Sequence, residues 1–193
     1  MASEGPRSCG TAADDSGVGT LTWANPTSAQ GTSDASAAIA EITPSGAISH
    51  YLKCTNFNFS AIPDGATVDG IVVEYLVWGR FSTTVRDYRV RIVKGGTIGS
   101  TDKSSATPYA DGDYAWVSRG GSNDLWGETW SATDIKSSGF GFAVAATDDA
   151  VSPGRSQVDA VRVTVYYTAG GPTYLPRIVM KRKYRIIYTP HAQ

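Results

Sequence analysis

The ten residues GIVVEYLVWG, at positions 70–79, are the stretch of sequence that decides the fold. Read with a two-residue period, one face carries Ile71, Val73, Tyr75 and Val77, and the other carries Val72, Glu74, Leu76 and Trp78. A strand that is apolar on both faces is typical of the middle of a sheet. We therefore predict a central strand here, with both of its faces covered.

Alternating segments elsewhere in the chain predict further strands. In residues 87–92 the apolar residues Tyr88, Val90 and Ile92 alternate with Asp87, Arg89 and Arg91, so we expect the three apolar residues to face the core. Residues 140–146 and 161–167 have the same period, and weaker candidates are residues 35–42, 51–59 and 114–118. The predicted core contains Ile71, Val73, Val90, Ile92, Phe140, Phe142, Val163 and Val165.

Helical signals are scarce. A short helix is predicted after Ser131, because its hydroxyl can cap the following amides and Asp134 stands three residues later, while Gly139 ends the segment. About eight short strands separated by turn residues indicate an all-β fold. We predict a single jelly-roll-like antiparallel β-sandwich with an N-terminal arm and a basic C-terminal β arm.

The composition divides the chain into four parts. Residues 1–20 are rich in Gly, Ser, Ala and Asp without apolar periodicity and are predicted to form a flexible or docked N-terminal arm. Residues 21–168 are the β-sandwich domain, residues 169–172 are a linker, and residues 173–193 are the basic C-terminal arm. With 193 residues, one core of this size needs no metal or disulfide in order to fold.

The net charge of −1 hides an uneven distribution. Residues 1–172 hold all 18 acidic groups and 12 basic ones, a charge of −6, whereas residues 173–193 hold five basic groups and no acid. An acidic body makes a general nucleic-acid binder unlikely, because such proteins rely on many basic contacts to phosphates. No apolar run has the length of a signal peptide or a membrane span, so we expect synthesis in a cytoplasm and no membrane partner.

The two cysteines, Cys9 and Cys54, lie 45 positions apart and fit no zinc or redox spacing. The favoured interpretation is two free thiols. The alternative is a Cys9–Cys54 bridge that ties down the N-terminus, which an oxidising compartment would permit.

Candidates for catalysis or metal binding are weak. The chain has two histidines, His50 and His191, and neither stands in a triad-like or zinc-like pattern. Carboxylates in DGD at 111–113, ND at 123–124 and DD at 148–149 could hold calcium or cleave glycosides, but the turn role of such residues explains them as well. We therefore predict a non-enzymatic protein, with no catalytic residues, no metal ligands and no cofactor.

Three tryptophans in one loop-rich region, Trp116, Trp126 and Trp130, are candidates for stacking on a ligand. Packing in the core is the alternative for each of them, because each ring can bury a large apolar area.

Four motifs taken together resemble a recurrent pattern in virion proteins of tailed bacteriophages. They are WANP at 23–26, NFNFSAIPDGATVDGI at 56–71, DLWG at 124–127 with Trp130, Asp134 and Phe140–Phe142 after it, and VDAVRVTVYY at 158–167. The resemblance covers roughly residues 20–168. It implies a β-sandwich in a phage particle, as a head decoration protein, a minor tail protein or a fibre component, and it transfers no catalytic residues.

The expected function is a head (capsid) decoration protein, located in the virion and made in the host cytoplasm. Its expected partners are other virion proteins, a major capsid or tail protein, and further copies of itself, with a trimer as the expected state. The alternatives are a minor tail or fibre component and a carbohydrate- or host-receptor-binding module. The predicted partner-binding residues all lie in the arm: Arg177, Ile178, Met180, Lys181, Arg182, Lys183, Arg185 and Ile186.

Overall fold

The computed structural model describes residues 1–151 and 153–170 and consists of two antiparallel sheets packed face to face. The strands are β1 (Ala2–Ser8), β2 (Thr11–Asp15), β3 (Ala38–Ile42), β4 (Tyr51–Thr55), β5 (Thr67–Arg80), β6 (Arg86–Lys94), β7 (Thr97–Ile98), β8 (Ala115–Gly121), β9 (Gly141–Thr147) and β10 (Gly154–Thr168). One α-helix, α1 (Ala132–Lys136), and a 3-10 helix at Pro26–Ala29 complete the described elements.

The strand order is that of a jelly roll. The front sheet runs β3-β10-β5-β8, and β1 pairs with the other half of the same edge of β10. The back sheet runs β2-β4-β9-β6-β7. Without β1 and β2, the remaining eight strands form two four-stranded sheets between which the chain repeatedly crosses, the double Greek-key arrangement of this fold. The predicted all-β, jelly-roll-like antiparallel sandwich is confirmed, whereas the predicted C-terminal β arm at 173–193 lies outside the described residues.

The predicted central strand and core are also confirmed. β5 lies between β10 and β8, and its inward side chains at 71, 73, 75 and 77 are fully buried. All eight predicted core residues are at most 1% exposed. The outer face of β5 is less covered than predicted, because Leu76 is buried there while Val72, Glu74 and Trp78 are half-buried.

The orientation predicted for the start of β6 is wrong. The pairing of β6 with β9 shifts register between Asp87 and Arg89, so Asp87 points into the core and Tyr88 packs on the outer face of the back sheet. A bulge of this kind inserts one residue and reverses the side chains on one side of it. The Asp87 carboxylate can be buried in the core because hydroxyl and guanidinium groups donate hydrogen bonds to it.

Residues 1–20 belong to the sandwich and are not an arm that precedes it. β1 pairs with β10 in the front sheet and β2 pairs with β4 in the back sheet, so the N-terminal segment adds one strand to each. The sequence shows no apolar period here because backbone pairing at a sheet edge does not require one. The sandwich therefore begins at Ala2 rather than at residue 21.

The remaining local predictions hold with changed bounds. The weaker candidates form β3, β4 and β8, but β3 begins only at Ala38 and β4 ends at Thr55. The helix cap is confirmed: the Asp134 amide donates to the Ser131 hydroxyl at 3.1 Å, and the Ser131 amide donates to the Asp134 carboxylate at 2.9 Å. In the described part of the chain, no helix is long and apolar enough to cross a membrane.

Candidate functional site

Two of the three tryptophans considered for ligand stacking serve the core instead. Trp126 is fully buried, and its indole N–H donates to the Ile71 carbonyl at 3.0 Å. Trp130 packs against the core and donates to the Leu125 carbonyl at 2.9 Å. Trp126 therefore cannot stack on a ligand, and the core-packing alternative applies to it.

Trp116 lies on the surface, on the outer face of the front sheet. Its side chain is 40% exposed, and the Arg162 guanidinium lies 3.9 Å from the ring centroid. Arg162 is itself fixed by two 2.9 Å hydrogen bonds to the Glu74 carboxylate. The ring is thus held by a side chain from β10, the second strand away from β8 in the sheet, while part of it remains in contact with solvent.

The sequence analysis missed Phe81, whose ring is the most exposed aromatic group among the described residues at 59%. Phe81 follows β5 directly and has a backbone φ of +68°, in the left-handed region that bulky side chains rarely occupy. Two guanidinium groups flank the ring, Arg80 at 4.7 Å and Arg155 at 5.0 Å from its centroid. An exposed ring on strained backbone is a marker of function, since folding alone favours neither feature.

A cleft of about 440 Å³ opens beside Phe81. Its lining consists of Phe81, Ser82, Thr83, Asp111 and Ala150, so it combines one aromatic ring with hydroxyl and carboxylate groups. Three loops form it: the β5–β6 turn, the segment before β8 and the β9–β10 turn. This composition suits a ligand that has both apolar and hydrogen-bonding surfaces.

Asp148 lies beneath the cleft and hydrogen-bonds to the loops that form it. The residue is 1% exposed, and its Oδ1 accepts hydrogen bonds from the Ser82 hydroxyl at 2.9 Å, the Thr84 hydroxyl at 2.5 Å and the Ala150 amide at 3.1 Å. Its Oδ2 lies so close to Gly154 that a Cβ there would approach within 2.1 Å. Asp148 therefore ties the β9–β10 turn to the β5–β6 turn through Oδ1, while its buried Oδ2 has no hydrogen-bond partner among the described residues.

Aromatic groups continue from the cleft across the front sheet. The rings of Trp78 and Tyr114 lie 5.5 Å apart on its outer face, and Arg80 bridges Trp78 to Phe81. Trp116 pairs with Leu76, five positions before Phe81, which at ~3.3 Å per residue places the two residues roughly 16 Å apart along the direction of β5. We call Trp78, Phe81, Tyr114 and Trp116 the aromatic face.

The charges on this face are mostly paired. Arg155 forms an ion pair with Glu41, and Arg162 forms one with Glu74. Arg80 stacks on two rings. Two of the three arginines on this face are therefore neutralised by ion pairs, and Arg80 keeps its charge while it stacks on the rings.

The other sequence candidates for chemistry serve local structure. Asp124 accepts from the Trp126 amide at 2.9 Å and pairs with Lys103 at 2.7 Å; burial opposes the shift, but these contacts lower the pKa of its carboxyl. Asp149 pairs with Arg86, and Asp113 accepts from the Tyr114 amide. Asp124 and Asp113 thus have the turn role of the alternative interpretation, and Asp124 and Asp149 also form ion pairs.

The described residues give no evidence for a catalytic histidine or a metal site. His50 Nδ1 lies 2.8 Å from Asp14 Oδ2, and the same Asp14 carboxylate accepts from the Trp23 amide, so the pair joins β2 to the loops beside it. Across residues 1–151 and 153–170 no group of three His, Cys, Asp or Glu side chains is placed to hold a metal ion. His191 and the predicted partner-binding residues 177–186 lie outside the described residues.

Comparisons with known proteins identify no family for this chain. No protein-family model matches the chain, and no curated protein matches it. One solved structure, described as "CBM4 structure and function", is similar with 16% sequence identity over 70% of this chain and 89% of that chain, at a TM-score of 0.39. The sequence resemblance to phage virion proteins has no counterpart in these comparisons.

Proposed function

We propose that this protein is a non-catalytic β-sandwich binding module whose aromatic face takes a neutral glycan chain. The observation that carries the proposal is Phe81, an aromatic side chain that is 59% exposed although its backbone is strained. A substitution by Gly would relieve that strain and remove exposed apolar area, so the fold gains little from the ring beyond its contacts with Arg80 and Arg155. We therefore infer that the ring serves to contact a ligand.

The chemistry around Phe81 matches a sugar. A pyranose ring has an apolar C–H face that lies flat on an aromatic ring, and hydroxyl groups at its edge that need donors and acceptors. Beside Phe81 the cleft supplies the hydroxyls of Ser82 and Thr83 and the Asp111 carboxylate, and the Arg80 guanidinium supplies donors. Hydrophobic peptides would leave these polar groups without partners, which costs binding free energy.

The layout of the aromatic face favours a chain over a single sugar. Phe81 and Trp116 are separated by roughly 16 Å along β5, and Trp78 and Tyr114 lie between them. Several weak stacking contacts on one rigid sheet add up without further ordering cost, because the sheet is already fixed. Ion pairs neutralise Arg155 and Arg162 beside the aromatic face, which favours neutral sugars over acidic ones.

The test is a binding screen of the full chain against neutral oligosaccharides of one to six residues from glucan, mannan, galactan and chitin series, followed by calorimetry on each hit. Phe81→Ala is expected to lower affinity at least tenfold. Phe81→Leu, which keeps an apolar side chain but removes the aromatic face, is expected to lose most of the binding as well. Val151→Ala, at an exposed residue in the β9–β10 turn, is the matched control. Unchanged affinity in Phe81→Ala, or no binding of any neutral glycan, would overturn the proposal.

A structural role in a phage particle is the second proposal, and it rests on the sequence resemblance. β8 is hydrogen-bonded to β5 alone among the named strands, so its other edge can accept a strand from a neighbouring subunit. The apolar and basic segment 173–193 is the candidate donor. In this proposal the protein decorates a capsid or belongs to a tail, as an oligomer. Quantitative mass spectrometry of purified particles that contain few copies or none would reject the decoration role.

A further inference from the structure

The two cysteines come together where the chain passes from one sheet to the other. Cys9 and Gly10 form the whole connection between β1 in the front sheet and β2 in the back sheet. The Cys9 amide donates to the Val161 carbonyl at 3.2 Å, and the Gly10 amide donates to the Thr55 carbonyl at 3.2 Å. Cys54 precedes Thr55 on β4, the strand with which β2 pairs, so the crossover is seated beside it.

Both side chains point into the same part of the core. Cys9 is 2% exposed and Cys54 is fully buried, and both belong to the main core cluster. The Cys9 thiol donates to the Ala29 carbonyl at 3.2 Å. The backbone hydrogen bonds of the crossover to the end of β4 bring the two buried cysteines, 45 residues apart in sequence, to one place in the core. Hydrogen bonding with the Cys9 thiol and burial also raise the pKa of the Cys54 thiol well above its usual value.

We infer that Cys9 and Cys54 are a cross-linking site, and that oxidation joins them in an intramolecular disulfide that fastens the β1–β2 crossover to β4. Both cysteines are free thiols in the structure, which therefore represents the reduced form. The site lies on the opposite side of β10 from the aromatic face strands β5 and β8, and the inference does not depend on glycan binding.

The reaction balances with a small-molecule disulfide such as oxidised glutathione as the oxidant. One cysteine thiolate attacks the glutathione disulfide, forms a mixed disulfide and releases one glutathione thiolate. The second cysteine thiolate then attacks the protein sulfur of that mixed disulfide and releases the second. Two thiols lose two protons and two electrons, and one glutathione disulfide becomes two glutathione molecules.

Burial determines when the bond can form. An oxidant cannot reach two sulfur atoms inside the folded core, and a raised thiol pKa leaves little thiolate to react. The bond should therefore form before β1 and β2 dock, or during their local opening, which is easier at sheet edges than in the centre. Once β1 and β2 are docked, the same burial protects the bond from reductants.

The experiment compares refolding of the full chain in a glutathione redox couple with refolding in excess reductant. Thiols are then alkylated under denaturing conditions, and intact mass and peptide maps are recorded. The expected result is one Cys9–Cys54 disulfide, with the mass lower by two hydrogens, and a melting temperature higher by about 10 °C than in the reduced protein. Already folded, reduced protein is expected to oxidise at least tenfold more slowly in the same couple.

Cys9→Ala is the control that separates the cross-link from other effects of oxidation. Its melting temperature should not respond to the redox couple, although the variant should fold because Cys9 lies in a connection and not within a strand. Two alkylated thiols, or glutathione adducts without an internal bond, after refolding in the oxidising couple would overturn the inference. An internal bond that leaves the melting temperature unchanged would overturn its role as a fastener.

Discussion

The Asp87 carboxylate on β6 accepts a 2.6 Å hydrogen bond from the Tyr75 hydroxyl on β5, so a polar contact joins the two sheets through their shared core. Tyr109 donates to the same oxygen at 2.7 Å, and Arg119 on β8 pairs with the other oxygen at 2.5 Å. Burial and the Asp87 charge raise the pKa of both tyrosines, which therefore remain neutral donors over the ordinary pH range. The contacts of Asp87 therefore link the two sheets, and their contribution to the free energy of unfolding can be measured.

Removing the carboxylate charge should be costly. We expect Asp87→Ala to lower the free energy of unfolding by about 3–5 kcal/mol, because it leaves the Arg119 charge and two hydroxyls without a partner inside the core. Tyr75→Phe should cost only about 1–2 kcal/mol, since one hydrogen bond is lost. Urea denaturation measures both values. Asp149→Ala, which breaks an exposed pair with Arg86, serves as the control and should change stability by less than ~1 kcal/mol.

Phe81 should show a trade-off between stability and binding. Phe81→Gly removes a bulky side chain from a backbone φ of +68°, so we expect an increase in unfolding free energy of up to about 1 kcal/mol together with loss of glycan binding. The complementary substitution is Gly65→Ala, at φ +76° with open space around the added Cβ. It should lower the free energy of unfolding by about 1 kcal/mol through backbone strain alone. Thermal unfolding checks both. A destabilised Phe81→Gly variant would mean that the ring serves the fold.

Trp116 should matter only for long ligands. Trp116→Ala removes the ring at the far end of the aromatic face, so the affinity for oligosaccharides of four or more residues should fall several-fold while the affinity for disaccharides stays unchanged. Phe81→Ala should weaken both. Calorimetry across a length series of one glycan makes the comparison. Equal losses at every length in Trp116→Ala would contradict a chain that runs along β5.

Acid should weaken the fold partly through Asp102. Its burial opposes the shift, but the Val90 and Ser104 amides, at 2.9 and 3.0 Å, and the Arg89 charge lower the pKa of this carboxyl. A carboxyl with a lowered pKa in the folded state adds stability that is complete above its unfolded pKa, near 4, and is lost as the pH falls through the folded value. Asp102→Asn should therefore lose stability at pH 7 and lie closer to the wild-type protein at pH 2.5, as measured by urea denaturation at a series of pH values. A difference that does not change with pH would contradict this assignment.

The sequence predicts the interior of this molecule better than its edges and turns. Alternation in residues 70–79 identifies β5 because burial on the inner face must repeat every two residues. Side-chain alternation does not predict β1 and β2, since their positions in the sheets depend on backbone pairing with β10 and β4. The inward turn of Asp87 depends on a bulge and on partners from β5 and β8, none of which is local in sequence.

For the same reason, the sequence predicts only part of the candidate site. The sequence identifies Trp116 as a candidate for ligand stacking because of its large aromatic ring. Ring size alone does not distinguish it from Trp126, which is buried. Phe81 is marked by its φ and its exposure, which depend on how the β5–β6 turn is held by Asp148. The one signal in the sequence is an aromatic residue at the head of the polar turn FSTT at 81–84, directly after a strand.

The C-terminal segment gives the last prediction. Residues 173–193 combine five basic residues with Leu175, Ile178, Val179, Met180, Ile186 and Ile187, a composition that is too apolar for a solvated tail. Their deletion should leave the sandwich folded, because every core residue of the described structure lies before residue 169. We expect the truncated protein to lose self-association, since a strand added to a neighbour's edge such as β8 would be missing and its positive charge would no longer meet the −6 body. Light scattering coupled to size-exclusion chromatography measures the oligomeric state, a trimer being the expected full-length form, and circular dichroism verifies the fold. A full-length variant with the five basic residues changed to Gln separates charge from backbone pairing, because it should associate more weakly and with less dependence on salt. An unchanged oligomeric state after the deletion would show that the segment has no role in assembly.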